Sequence, residues 1–169
     1  MSPASTRLEG FAPIGAAAPR VLVLGSFPSA ASLQAGEYYA HGRNALWPIF
    51  ERLGIERARP YRERCAALAE LGIAVWDVIR SCERAGSLDS AIRAALPNDL
   101  CAYAARRPEL RTVLLNGRRA EHGFLLATRG RAEFARIDVR LMPSTSPANA
   151  HAGKLDAWER VLRAALGRE

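Results

Sequence analysis

Three short stretches hold most of the side chains that could do chemistry: GSFPS at 25–29, YYAHGRNALW at 38–47 and MPSTSPAN at 142–149. The first and third join small hydroxyl residues to prolines. Their hydroxyls and backbone N–H groups therefore sit on stiffened turns, where they are good donors to phosphate oxygens. Ser26, Ser29, Ser144 and Ser146 are the candidates. At neighbouring strand ends they would grip one nucleic-acid backbone on either side of a target nucleotide; the alternative use for Ser29, Ser144 and Ser146 is to satisfy the turns themselves. The middle stretch gathers Tyr38, Tyr39, His41, Arg43, Asn44 and Trp47. A flat base stacked on one Tyr ring is held by about 1–3 kcal/mol, while Tyr38 and Trp47 suit core packing better.

The elements that would position these loops are legible as periodicity. Apolar runs at 20–24, 73–78, 112–115 and 137–142 are each bounded by turn residues. Their hydrophobicity is continuous rather than alternating, as in strands buried on both faces of a parallel sheet. Helical patterns lie between them, clearest at 154–166, where Leu155, Trp158, Val161, Leu162, Ala165 and Leu166 share one face. Further helices are expected at 44–53, 61–71, 88–95, 100–105 and 118–127, and GSFPS leads into another. This alternation predicts a three-layer α/β domain, one domain over residues 1–169. In open parallel sheets ligands collect beyond the carboxyl ends of the strands. Here those ends carry GSFPS, WDVIRSC, NGRRA and MPSTSPAN, which places a cleft there.

Composition narrows the partner. With 49% apolar and 24% charged residues the 169-residue chain reads as an ordinary globular protein. No apolar run approaches the roughly 18–20 residues of a membrane span, and the opening residues lack a signal-peptide layout, so a cytoplasmic protein is expected. The formal net charge is +7 and all but one of the 24 basic side chains are Arg. That suits phosphate binding through the planar guanidinium fork, or reflects an Arg-rich composition without a role. Cys65, Cys82 and Cys101 form no C-x-x-C pair, so buried thiols are expected, with no metal site and no cofactor.

GSFPSAASL, EYYAHGRNALW, IAVWDVIRSCERAGSLDSAI, LLNGRRA and MPSTSPANA, in that order and at compatible spacing, resemble the hypoxanthine-DNA glycosylases, a branch of the uracil-DNA glycosylase superfamily. The resemblance runs from about Phe11 to the C-terminal helix. It implies a three-layer α/β/α sandwich with a central four-stranded parallel sheet. It also implies a monofunctional DNA glycosylase that flips a deaminated base, hypoxanthine first, into a pocket and cuts its N-glycosidic bond with water, leaving an abasic site. The implied partner is DNA containing deaminated bases, met by a monomer in the cytoplasm, associated with the nucleoid through its DNA, with neither metal nor membrane. Excision of uracil or xanthine is the alternative within the superfamily.

The resemblance also distributes roles. Phe27 stands where many superfamily members carry the Asp or Asn that positions water, so catalysis is expected from Asn44 downstream, against a plain helix N-cap role for that residue. An amide is no strong base, and it suffices only if the base leaves first through an oxocarbenium-like state. Gly42 replaces a Pro usual in the family, which loosens the loop. Tyr39 matches the aromatic that stacks on the extruded base; His41 and Arg43 flank the same loop, as phosphate contacts or as supports of the pocket wall. Asp77 aligns roughly with the amide that reads the pyrimidine edge in uracil glycosylases. A carboxylate there could accept from the N1–H of hypoxanthine, with Ser81 or a backbone N–H as donor to O6, or Asp77 could cap a turn. Adenine offers a bare N1 and would be rejected. Met142 replaces a polar group that steadies pyrimidine O2, which disfavours uracil. Ser144 and Ser146 would hold phosphates, while Pro147, Ala148 and Asn149 would press into the gap left by the flipped base without a large wedge. Ser87 and Asp89 read as helix caps; Asn116 and Gly117 close the third strand with no role given to them.

Two other classes are weighed. A serine hydrolase would use Ser26 and His151, but GSF is no G-x-S-x-G elbow and no Asp stands ready to orient His151. A nucleic-acid binder without catalysis fits the charge and Phe27. Neither G-x-x-x-x-G-K-[ST] nor G-x-G-x-x-G is present, which counts against a nucleotide-binding module.

Overall fold

The run VLVLG forms β3 (Val21–Gly25), the middle of a five-stranded sheet. In the computed structural model, which describes residues 6–168, β3 lies between β4 (Ile73–Asp77) and β7 (Thr112–Asn116), and β8 (Asp138–Met142) pairs with the far side of β7. These four strands are parallel, with Val21 opposite both Ile73 and Thr112, and Thr112 opposite Asp138. Both faces of β3 are covered. Val21 and Val23 join one core with residues of α2 (Leu46–Glu51), α3 (Tyr61–Leu71) and α6 (Lys154–Leu166), among them Phe50, Leu68 and Trp158. Leu22 and Leu24 join the other with Tyr103 of α4 (Leu100–Ala105) and Phe124 of α5 (Arg118–Thr128). The unbroken hydrophobicity of the run follows, because neither side of the pleat meets water.

The sheet is not simply four parallel strands. A two-residue strand, β2 (Ile14–Gly15), adds antiparallel to the outer edge of β4 and closes that edge. A second, three-stranded antiparallel sheet follows from WDVIRSC, which is not a loop: Val78 N–H bonds to the Gly25 carbonyl, and β5 (Ile79–Glu83) then runs between β1 (Arg7–Glu9) and β6 (Arg93–Pro97). The helix expected at 88–95 is absent. A single 3₁₀ turn, Asp89–Ala91, precedes β6. The helical preference of AIRAAL yields to pairing with β5, irregular in register and with Ala94 at φ 48°. A small apolar cluster of Phe27, Ile79, Cys82 and Ile92 holds this sheet against the first loop.

Helices α3, α4 and α6 have the bounds that periodicity predicts. α2 is shorter than expected at both ends, and just before it Asn44 Oδ1 accepts from the Leu46 N–H at 3.0 Å. α1 (Ala30–Ala35) follows GSFPS, capped by Ser29 and ended by Gly36 in the left-handed region.

Candidate active site

The four parallel strands end on one side, and a cleft of about 750 Å³ lies across their tips. Gly25, Asp77 and Asn116 are the last residues of three of those strands, and all three line it. Gly25 is required here: a Cβ would lie 2.5 Å from Asp77 Oδ1 and 2.6 Å from the Tyr39 hydroxyl, so the bare backbone is what lets both groups reach the floor. Asn116 is a hub. Its Nδ2 donates to the Tyr39 hydroxyl at 3.2 Å and to Thr145 Oγ1 at 2.8 Å, while its Oδ1 accepts from the Thr145 N–H at 2.8 Å. This clamp holds Tyr39 at φ 54°, a conformation a bulky residue adopts only under constraint.

Asp77 is the unusual group. Its side chain is 3% exposed and Oδ2 has no hydrogen-bond partner among the described residues, while its backbone carbonyl is fixed by Asn98 Nδ2 at 2.7 Å. Burial, with the nearby Asp89 charge added, pushes its carboxyl up to about 7 against a weaker opposing pull from Arg84. Burial and then the Asp77 charge raise the Tyr39 phenol well above its usual range, so it stays protonated. A buried acceptor without a partner costs free energy, and the residue that carries it lines the cleft.

A profile of the uracil DNA glycosylase superfamily matches residues 12–166. The chain belongs to that superfamily. It is a DNA glycosylase, similar at 32% identity over 148 residues to a Methanosarcina acetivorans protein named hypoxanthine DNA glycosylase, with 85% of this chain and 90% of that protein covered. A Methanosarcina barkeri protein of the same name is 28% identical over 160 residues, covering 92% of this glycosylase and 98% of the relative. The fold matches the solution NMR structure of a Methanosarcina acetivorans protein provisionally named a uracil DNA glycosylase, with a TM-score of 0.80, 29% identity, and 95% and 99% of the two chains covered.

The glycosylase cleft brings together most of the residues singled out in the sequence. Ser26, Phe27, Ser29, Tyr39, His41, Arg43, Asn44, Asp77, Ser144, Ser146, Pro147, Ala148 and Asn149 all line it. Two do not reach it. Ser81 sits buried on β5 and accepts from Arg7 Nε at 3.1 Å, held inside the second sheet. Met142 is buried in the core that contains Leu114 and Trp158, because the last residue of β8 points inward. Several hydroxyls serve turns as well: Ser29 accepts from the Ser32 N–H, Ser144 from Ser146 N–H and Ser146 from Ala148 N–H. A hydroxyl accepting in a turn keeps its proton, so Ser144 and Ser146 still have a donor to offer. His41 Nδ1 accepts from Arg43 N–H at 3.2 Å, which leaves Nε2 as the donor. Arg43 is exposed and its guanidinium meets no partner among the described residues.

Other cleft residues carry no such expectation. Thr145 is wholly buried behind Asn116, a pairing across 29 residues that no local pattern signals. Ser87 and Asp89 cap no helix of their own segment; Asp89 Oδ2 accepts from Ser26 Oγ at 2.7 Å and Ser87 Oγ from the N–H of Ala30, the first residue of α1, at 2.7 Å, tying the segment before β6 to the first loop.

Proposed function

We propose that this glycosylase is monofunctional and excises hypoxanthine from DNA in preference to other deaminated bases. The observation that carries this reading is Asp77, a cleft-lining residue whose buried carboxyl keeps one oxygen without a partner among the described residues. Hypoxanthine presents an N1–H donor where adenine presents a bare acceptor, so an ionised Asp77 accepts from the first and repels the second. Tyr39 supplies the stacking face. With Ser81 turned away, the donor to O6 is a backbone N–H or a side-chain donor at the strand tips.

Asn44 is the group placed to help the chemistry. One Oδ1 lone pair takes the Leu46 N–H and orients the amide; the other is left to accept an O–H from water. The C1′–N9 bond breaks with its electron pair going to the base, which leaves as an anion and takes up a proton. The water aimed by Asn44 then bonds to C1′ and loses a proton, giving an abasic sugar. Phosphates gripped by Ser144, Ser146, His41 and Arg43 stay close to the developing positive charge on the sugar and lower its energy, while the Ser26 hydroxyl is already committed to Asp89.

The test incubates the protein with labelled oligonucleotides holding one hypoxanthine, uracil or xanthine each, followed by alkali. Strand cleavage only after alkali, strongest for hypoxanthine, is the expected result; cleavage without alkali, or preference for uracil, overturns it. Asn44→Ala lowers single-turnover release on the order of a hundredfold, and undiminished release by that variant removes Asn44 from the reaction.

A further inference from the structure

A base leaves a duplex only if something fills or forces the gap, and side chains that do this are apolar and exposed before binding. The rim made by Pro147, Ala148 and Asn149 offers only small or tied-down groups: the Asn149 amide already donates to the Ser144 carbonyl at 2.8 Å. The other rim differs. Leu88 is 66% exposed, the most exposed large apolar side chain among the described residues, and of the five such residues it alone lines the cleft.

We propose that Leu88 is the wedge of this glycosylase, entering the base stack beside the target nucleotide as it turns into the cleft. This rests on the glycosylase reading above and adds the residue that opens the duplex. Water contact over an isolated leucine is unfavourable, and the surrounding contacts keep Leu88 there rather than letting it fold back. Ser87 Oγ accepts from Ala30 N–H on one side of it; Asp89 Oδ2 accepts from Ser26 Oγ on the other. At the foot of the segment Arg84 donates to the Pro28 and Gly86 carbonyls at 2.6 and 2.8 Å, and the Ala91 N–H bonds back to the Leu88 carbonyl. Leu88 is thus presented on a tethered turn. The turn is tied to the loop that follows β3, whereas Pro147 and Ala148 follow β8, and β7 lies between those two strands. A duplex laid across the cleft meets the two rims on either side of the flipped base.

The test uses a duplex with hypoxanthine next to 2-aminopurine, whose fluorescence rises when it is unstacked, and a single strand of the same sequence. Wild-type protein at saturation brightens the duplex probe. Leu88→Gln, similar in size but polar, loses most of that brightening and excises from the duplex on the order of tenfold or more slowly, with a smaller loss on the single strand. Leu88→Met keeps both signals. Full brightening with Leu88→Gln, or equal losses on duplex and single strand, overturns the wedge. No base release by wild-type protein from either substrate overturns the glycosylase reading instead.

Discussion

The two rims of the cleft are built on different principles. The β8 side is satisfied from within the fold. Lys154 Nζ donates to the carbonyls of Asn149, Ser146 and Ser144 at 2.6, 3.3 and 3.5 Å, the buried Trp158 Nε1 donates to the Pro143 carbonyl at 2.8 Å, and Asn116 secures Thr145 from the neighbouring strand tip. The β5–β6 side hangs from hydroxyl and carboxylate contacts to the first loop and shows an apolar side chain to water. The rim proposed to hold phosphates is braced; the rim proposed to enter a duplex is only tethered. The lone Lys of this Arg-dominated chain illustrates the first principle. A cation in the first turn of α6 opposes the helix dipole, but a compact ammonium meets three converging carbonyls, which a planar guanidinium does not.

Four changes would break or sharpen that contrast. The largest effect comes from the floor between the rims. Asp77 has its carboxyl raised to about 7 from 3.8, so the folded protein holds a proton that the unfolded chain has lost between those values. Stability therefore falls as pH rises across that window and the cost is complete above about pH 7. Asp77→Asn should melt higher than wild type at pH 8, by on the order of 2–4 kcal/mol, with little gain near pH 4. Discrimination of hypoxanthine from adenine should rise with pH through about 7 in wild type and be flat in the variant. A variant that melts no higher at pH 8 and keeps the profile would place the carboxyl elsewhere in the mechanism.

Next is Asn116→Ala, which leaves buried Thr145 and the Tyr39 hydroxyl unpaired. A loss of about 2–3 kcal/mol is expected in denaturant unfolding, with base release slowed as Tyr39 leaves its constrained conformation. Activity equal to wild type would show that the clamp serves folding alone. Lys154→Met should lower stability by about 1–2 kcal/mol and weaken duplex binding, and Lys154→Arg should restore neither; full rescue by Arg would mean that charge, not geometry, braces the rim. The smallest effect is Asp89→Asn. It keeps an acceptor for Ser26 but removes the like charge near Asp77, so the midpoint of the selectivity profile should move down by less than about one pH unit. An upward move would reverse the assigned sign of that influence.

What the chain settles by itself is the parallel core and the chemistry at its tips. Continuous apolar runs such as VLVLG can be buried only on both faces, which demands helices on each side of the sheet, and the polar groups after Gly25, Asp77 and Leu115 then fall at one end with no further choice. Helices α3, α4 and α6 follow from periodicity and caps within a few residues of chain. The tertiary structure alone decided what depends on partners far away in sequence. Residues 88–95 have helical composition, yet from Arg93 onward the chain pairs with β5, because a strand edge in need of hydrogen bonds outweighs a weak local preference. Ser81 meets Arg7 and Met142 enters the core that holds Trp158 for the same kind of reason: a residue's side of a strand is set by register, and register is set by the neighbour. The clamp of Asn116 on Tyr39 and Thr145, and the exposure of Leu88 at the mouth, are likewise relations between distant segments, which no local pattern encodes.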